Sequence, residues 1–270
     1  MKIGFVDYFI SEWHANNYPK WIKEASDEFE VSYVWAEEEV SPYDSVTTDQ
    51  WCEKYGAEKC ATIAELCEKS DFIVILSPDN PEKHLEYAGE VLKYGKNTYI
   101  DKTFAPNVNE ALEIFRLAEQ YGTKFFSTSA LRYAEELEKL EGTKNLITTG
   151  PGGSIEAYVI HQVEMAVKTI KAEPMAIKAE LQGNQKIWTV AFNDGSRWTG
   201  IYSPHIPFSL CGDSTYTTVT SSFFPCLISD MLHFFKTGEI SFDINETVKA
   251  MEIRDAILNA CKLPGDWLNV

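Results

Sequence analysis

Apolar and polar positions follow two different rhythms along this chain. In the first 125 residues, short apolar runs at 2–6, 31–35, 72–76, 97–100 and 124–127 are separated by longer amphipathic stretches such as 81–94 and 107–121. Runs of that length, rich in β-branched and aromatic residues, suit strands buried on both faces, and their separation by helical periods predicts βαβ units around a parallel sheet. Gly95 and Gly122 stand just past the two helical stretches, where a left-handed cap residue is expected.

Further on the period shortens. Segments 175–183, 186–192, 196–203, 207–211 and 215–220 read as consecutive antiparallel strands, with the hairpin signal Asn193-Asp194-Gly195 between two of them. Helices are expected near 157–170, 225–236 and 244–261, the last capped by Asn245. The pattern predicts an α/β chain of two domains: a doubly wound parallel sheet over 1–125, and an α+β domain with an open, mostly antiparallel sheet over 126–270. Three helices are few for covering both faces of that second sheet, so a homodimer or higher homo-oligomer is expected.

Composition narrows the partners. With 41 acidic against 24 basic residues and a net charge of -17, the chain repels nucleic-acid phosphates and anionic membrane surfaces. The apolar stretch after Met1 and Lys2 is too short for a signal-peptide core, and no run approaches the ~20 residues of a membrane span, so a cytoplasmic protein is expected. Six cysteines without a CxxC pair read as reduced thiols, and in that compartment the sequon Asn245-Glu246-Thr247 has no consequence.

Candidate chemistry gathers where strands of the first half end. Ser77, Pro78, Asp79 and His84 follow the third run, at the edge where a doubly wound sheet takes its ligand, although a helix-capping turn explains them equally well. Asp101 and Lys102 follow the fourth. A lysine there can hydrogen-bond a substrate hydroxyl and a nicotinamide ribose together; otherwise it is a surface lysine paired with Asp101. Glu37, Glu38 and Glu39 close the second run, either to accept from a ribose hydroxyl or as a solvated helix start. His161 with Glu164 and Asp230 with His233 share helix faces, but neither pair has multi-ligand metal spacing, so no metal is expected. Trp188, Trp198, Tyr202 and Phe208 alternate along strands as core or subunit-interface residues do.

The ordered combination of Ser77-Pro78 with His84, Gly95-Lys96, Asp101-Lys102-Thr103-Phe104-Ala105 and the helix 111–122 resembles the Gfo/Idh/MocA family of oxidoreductases. The later run Gly152-Gly153-Ser154 through His161-Gln162-Val163-Glu164 resembles the glycine-led helix that carries that family's active-site histidine. The resemblance implies a Rossmann-like dinucleotide-binding first domain and a substrate domain after it. It implies Lys102 as the lysine that contacts nicotinamide and substrate and His161 as acid or base, both facing one cleft. For the cofactor it implies Asp7, Tyr8, Phe9, Glu37, Ser77, Pro78, Asp79, His84, Asp101 and Lys102, with NAD favoured over NADP by the acidic run at 37–39.

Three positions depart from the family pattern. The loop after the first strand reads Val6-Asp7-Tyr8-Phe9-Ile10-Ser11-Glu12-Trp13-His14, without the glycines that let a backbone approach a pyrophosphate, and with two acidic side chains to repel it. Ala157 stands where an aspartate commonly precedes the histidine, which leaves open whether Glu156 or Glu164 orients His161, and Thr103 replaces a proline. Three functions stay open: NAD(P)-dependent hydride transfer to or from a sugar, polyol or related hydroxylated molecule; a lyase or glycoside-cleaving enzyme using NAD transiently; and a non-catalytic or altered-ligand protein that kept the fold and lost the dinucleotide.

Overall fold

The computed structural model describes residues 1–140 and 142–270. In chain order they form β1 (Lys2–Asp7), α1 (Trp13–Ala25), β2 (Glu30–Ala36), α2 (Thr48–Tyr55), β3 (Glu58–Lys59), α3 (Ile63–Lys69), β4 (Phe72–Ile75), α4 (His84–Val91), β5 (Thr98–Ile100), α5 (Val108–Tyr121) and β6 (Phe125–Phe126). There follow β7 (Asn145–Gly150), α6 (Ile155–Thr169), β8 (Pro174–Gln182), β9 (Gln185–Phe192), β10 (Arg197–Tyr202), β11 (Ser209–Cys211), β12 (Tyr216–Thr218), α7 (Phe223–Thr237), α8 (Asn245–Lys262) and β13 (Trp267–Asn269).

The chain divides into two compact units, Met1–Thr128 with Pro225–Ile244, and Ser129–Phe224 with Asn245–Val270. In the first, six parallel strands run in the order β3-β2-β1-β4-β5-β6. β1 and β4 are buried almost throughout because helices cover both faces, as the unbroken apolar runs require. Gly95 and Gly122 take the left-handed conformation at φ 68 and 65, closing the stretches before β5 and β6. The stretch 81–94 is α4 flanked by single 3-10 turns rather than one helix. α7 joins this unit through ring contacts of Phe234 with Phe126 and of Phe235 with Phe72, which stack at 4.9 Å.

The second unit is a seven-stranded sheet in the order β12-β11-β7-β10-β9-β8-β13. Its neighbours are antiparallel except β7 and β10, which run parallel. The hydrophobic pattern assigned no strand to 145–150 or 267–269. β7 alternates buried Leu146, Thr148 and Gly150 with more open Asn145, Ile147 and Thr149, and the inward threonine hides its periodicity. One face packs on α6 and α8 with Trp188 and Trp198 fully buried at 5.7 Å edge to face; the other carries Ile147, Ile187, Thr189, Thr199 and Ile201, exposed or half-buried.

Gly200 pairs with Trp188 across β10 and β9, and a Cβ there would lie 2.1 Å from the indole. The tryptophan is wholly enclosed and cannot move aside cheaply. Gly200→Ala is expected to cost about 1–3 kcal/mol in urea unfolding, with an unchanged denaturant slope.

Candidate functional site

A doubly wound sheet takes its ligand where the strand order reverses, outside the carboxyl ends of the strands. Here the reversal falls between β1 and β4, so the loops after β1, β2, β4 and β5 build that edge.

β1 ends on Asp7, which is 1% exposed. Its Oδ1 accepts from the backbone N–H groups of Tyr8 (2.7 Å) and Ser77 (3.0 Å) and from the Ser77 hydroxyl (3.2 Å), which holds Ser77 in a left-handed turn at φ 55. Oδ2 is buried without a hydrogen-bond partner. Burial pushes the Asp7 carboxyl up to about 8, and the bonds from Tyr8 and Ser77 offset only part of that. Glu12 opens α1. Its carboxylate, 3% exposed, accepts from the backbone N–H groups of His14 (2.7 Å) and Ala15, the orphan donors of the first turn. Burial raises Glu12 as well, to about 8, with His14 drawing it down and Asp7 pushing it up.

Asp101 closes β5. Its Oδ2 lies 2.5 Å from His14 Nδ1, and Oδ1 accepts from the Tyr99 hydroxyl at 3.2 Å. Burial alone would raise this carboxyl, yet the His14 imidazole holds it below its usual range. Lys102 follows, half-buried, and its peptide bond to Thr103 is cis. Asp101 is therefore spent on His14, a partnership with no signal in a sequence separation of 87 residues.

The remaining candidates also bond inward. Tyr8 lies under the Lys83 ammonium at 5.6 Å, and Phe9 sits edge-on to Tyr43 at 5.3 Å. The Tyr43 hydroxyl donates to Asp79 at 2.7 Å, while Ser11 donates to Asp44 (2.7 Å) and accepts through its carbonyl from Ser41 (2.8 Å). Glu37 accepts from Lys83 and from the Tyr87 hydroxyl, each at 2.7 Å; burial raises its carboxyl, but these two bonds bring it below the ordinary range. Pro78 is buried. His84, with no exposed surface, spans the carbonyls of Leu76 (2.6 Å) and Phe104 (3.0 Å), tying the end of β4 to the loop after β5. That places its ring inside the fold, where it clamps two loops and offers a cofactor no surface.

These residues do not fit a dinucleotide. A pyrophosphate in this fold rests on the N–H groups at the start of α1, and here Glu12 already occupies them beneath a loop whose Phe9, Ile10 and Ser11 are 6%, 1% and 4% exposed. Glu12 does more than repel such a group; it takes its bonds. Among the described residues no group of three or more His, Cys, Asp or Glu side chains is arranged to hold a metal ion.

The second unit presents His161 on α6. Its Nδ1 lies 2.6 Å from the Ser129 hydroxyl, which also accepts from the Leu131 N–H at 3.2 Å. The half-exposed ring packs edge to face against Tyr158 and Phe208, both at 5.7 Å. The next residue fixes the helix: Gln162 donates to the Ile201 carbonyl (3.1 Å) and accepts from Thr148 (2.6 Å), which accepts from the Trp198 indole (2.9 Å). Glu164 pairs with Arg132 at 2.7 Å, both nearly buried, and Arg132 also reaches Glu246 at 2.5 Å. Glu164 is thus committed to Arg132, and the hydroxyl found on His161, that of Ser129, lies 32 residues away in the chain.

Known proteins resemble the chain in fold far more than in sequence. Residues 14–129 match the model of the family described as "Oxidoreductase family, NAD-binding Rossmann fold", Gfo/Idh/MocA. No curated protein matches the chain. A myo-inositol dehydrogenase from Lactobacillus casei, solved with NAD(H) and myo-inositol, superposes with a TM-score of 0.81 at 10% identity over 100% of this chain and 96% of its own. A probable dehydrogenase from Thermotoga maritima gives 0.80 at 13% identity over 100% and 98%. Biliverdin reductase from Synechocystis sp. PCC 6803, solved with biliverdin and NADP+, gives 0.71 at 14% identity over 97% and 99%. The match begins at His14, just beyond the loop that lacks glycine, and ends at Ser129, so it spans most of the six-stranded parallel unit.

Proposed function

We propose that the protein binds a sugar, polyol or related hydroxylated small molecule at a site centred on His161, which accepts or returns a hydroxyl proton there. The observation that carries this is the half-exposed imidazole held through Nδ1 by Ser129, between aromatic rings suited to the C–H face of a sugar. The oxidoreductase family and the myo-inositol in the Lactobacillus casei structure support the substrate class.

In the family's reaction a hydride passes between nicotinamide and the carbon bearing that hydroxyl. Were a nicotinamide cofactor to bind, Lys102 would be the second group to serve such chemistry, and the acidic run at 37–39 would favour NAD over NADP. The seats of Asp7 and Glu12 favour a second reading for this chain: an altered-ligand member that kept the architecture and gave up the dinucleotide. We assign the protein to the cytoplasm on its cysteine usage, six thiols without a CxxC pair; no helix among the described residues is long and apolar enough to cross a membrane. We assign the open sheet face around Ile187 and Ile201 to a second copy of the chain.

Calorimetric titration with myo-inositol and a panel of aldoses and polyols should give saturable heat for at least one of them, and His161→Ala should abolish it while leaving the melting temperature unchanged. A flat response across the panel would sink the proposal. Should NADH bind as well, His161→Ala and Lys102→Ala should each lower turnover of that substrate by roughly 10²-fold. Sedimentation at micromolar concentration should report a dimer or larger, and Ile187→Glu should shift it to monomer; a monomeric wild type contradicts the assignment of that face.

A further inference from the structure

We infer that Asp7 and Glu12 are internal substitutes for a dinucleotide's pyrophosphate, so that the carboxyl edge of the first sheet is closed to phosphate-bearing cofactors and any ligand it takes carries no phosphate. Two pairs of backbone donors face this edge: the N–H groups of His14 and Ala15 at the start of α1, and those of Tyr8 and Ser77 at the ends of β1 and β4. Dinucleotide folds leave such donors free, because they supply the hydrogen bonds and positive potential that an oxyanion needs. Here each pair ends on a carboxylate of the chain itself, 1% and 3% exposed.

The closure extends beyond the two acids. Ser11 is bonded to Ser41 and Asp44 from the loop after β2, Phe9 packs on Tyr43, and Tyr43 reaches Asp79 after β4. Three loops are laced together over the position that glycines would leave open. An incoming phosphate would have to break these bonds, displace Glu12 and meet the Asp101 carboxylate as a like charge.

The substitution leaves a signature in pH. The groups facing Asp7 and Glu12 are His14 and Tyr18 from α1, Tyr87 from α4, and Asp101, which also feels Lys102, at the end of β5; His14 is paired with Asp101. Both carboxyls titrate near 8 in the folded chain, above the ordinary carboxylate range of the unfolded one. Such groups stabilise the fold fully at pH below the unfolded value and lose that contribution as pH rises through the folded one. The melting temperature should therefore fall between pH 6 and pH 9.

The test is a tryptophan-fluorescence titration with NADH at pH 7 on the wild type, Glu12→Gly and Glu12→Gln. The wild type should show no saturation up to about 1 mM, and Glu12→Gly, which clears the donors, should bind at least about tenfold more tightly. Glu12→Gln keeps an acceptor on the helix start, so it should remain folded and blind to NADH while the fall of melting temperature with pH becomes shallower. Micromolar NADH binding by the wild type overturns the inference, as does a folded Glu12→Gly with no gain. If Glu12→Gly does not fold, an unchanged pH profile in Glu12→Gln overturns it. The polyol titration of His161 is read separately, so either result can fail without the other.

Discussion

Backbone N–H groups at the carboxyl edge of a parallel sheet have to be satisfied by something, and in this protein they are satisfied from within. A helix that starts directly after a strand presents orphan donors and the positive end of its dipole. Where a ligand supplies the anion, the loop must be bare enough to let it in. Where a carboxylate of the same chain supplies it, the loop can be bulky, and Tyr8, Phe9 and Ile10 are. Glu12 on His14 and Ala15, and Asp7 on Tyr8 and Ser77, thus make the missing glycines tolerable. The same choice forces acids into a space shielded from water, and the fold answers by pairing Asp101 with His14 and by letting the other two hold protons toward neutral pH.

The second unit spends its buried polar groups differently. The line from Trp198 through Thr148 and Gln162 to the Ile201 carbonyl pins α6 to the sheet, while Arg132 gathers Glu164 and Glu246. Successive residues of one helix therefore divide labour: Gln162 and Glu164 set its rotation, and His161 is left half-exposed with its Nδ1 held by Ser129. Satisfied buried networks of this kind specify one arrangement of the helix.

Hydrophobic rhythm by itself determined the two architectures, because a strand covered on both faces must be apolar throughout and one covered on a single face must alternate, whatever else the chain does. It failed at β3, β7 and β13, where a two-residue exposed strand, an inward threonine or a three-residue edge strand carries too little pattern. Runs that resemble the family's motifs also marked Lys102 and His161 as candidates, because local spacing can be read from a single sequence. What only the tertiary structure decided is which partner each polar group found. Glu12 read as a repulsive side chain and proved to be a helix cap, Asp101 found His14, Glu164 found Arg132, and His161 met Ser129. Hydrogen bonds between residues tens of positions apart leave no periodicity behind them, so the chain encodes these partners only through the packing that brings them within reach.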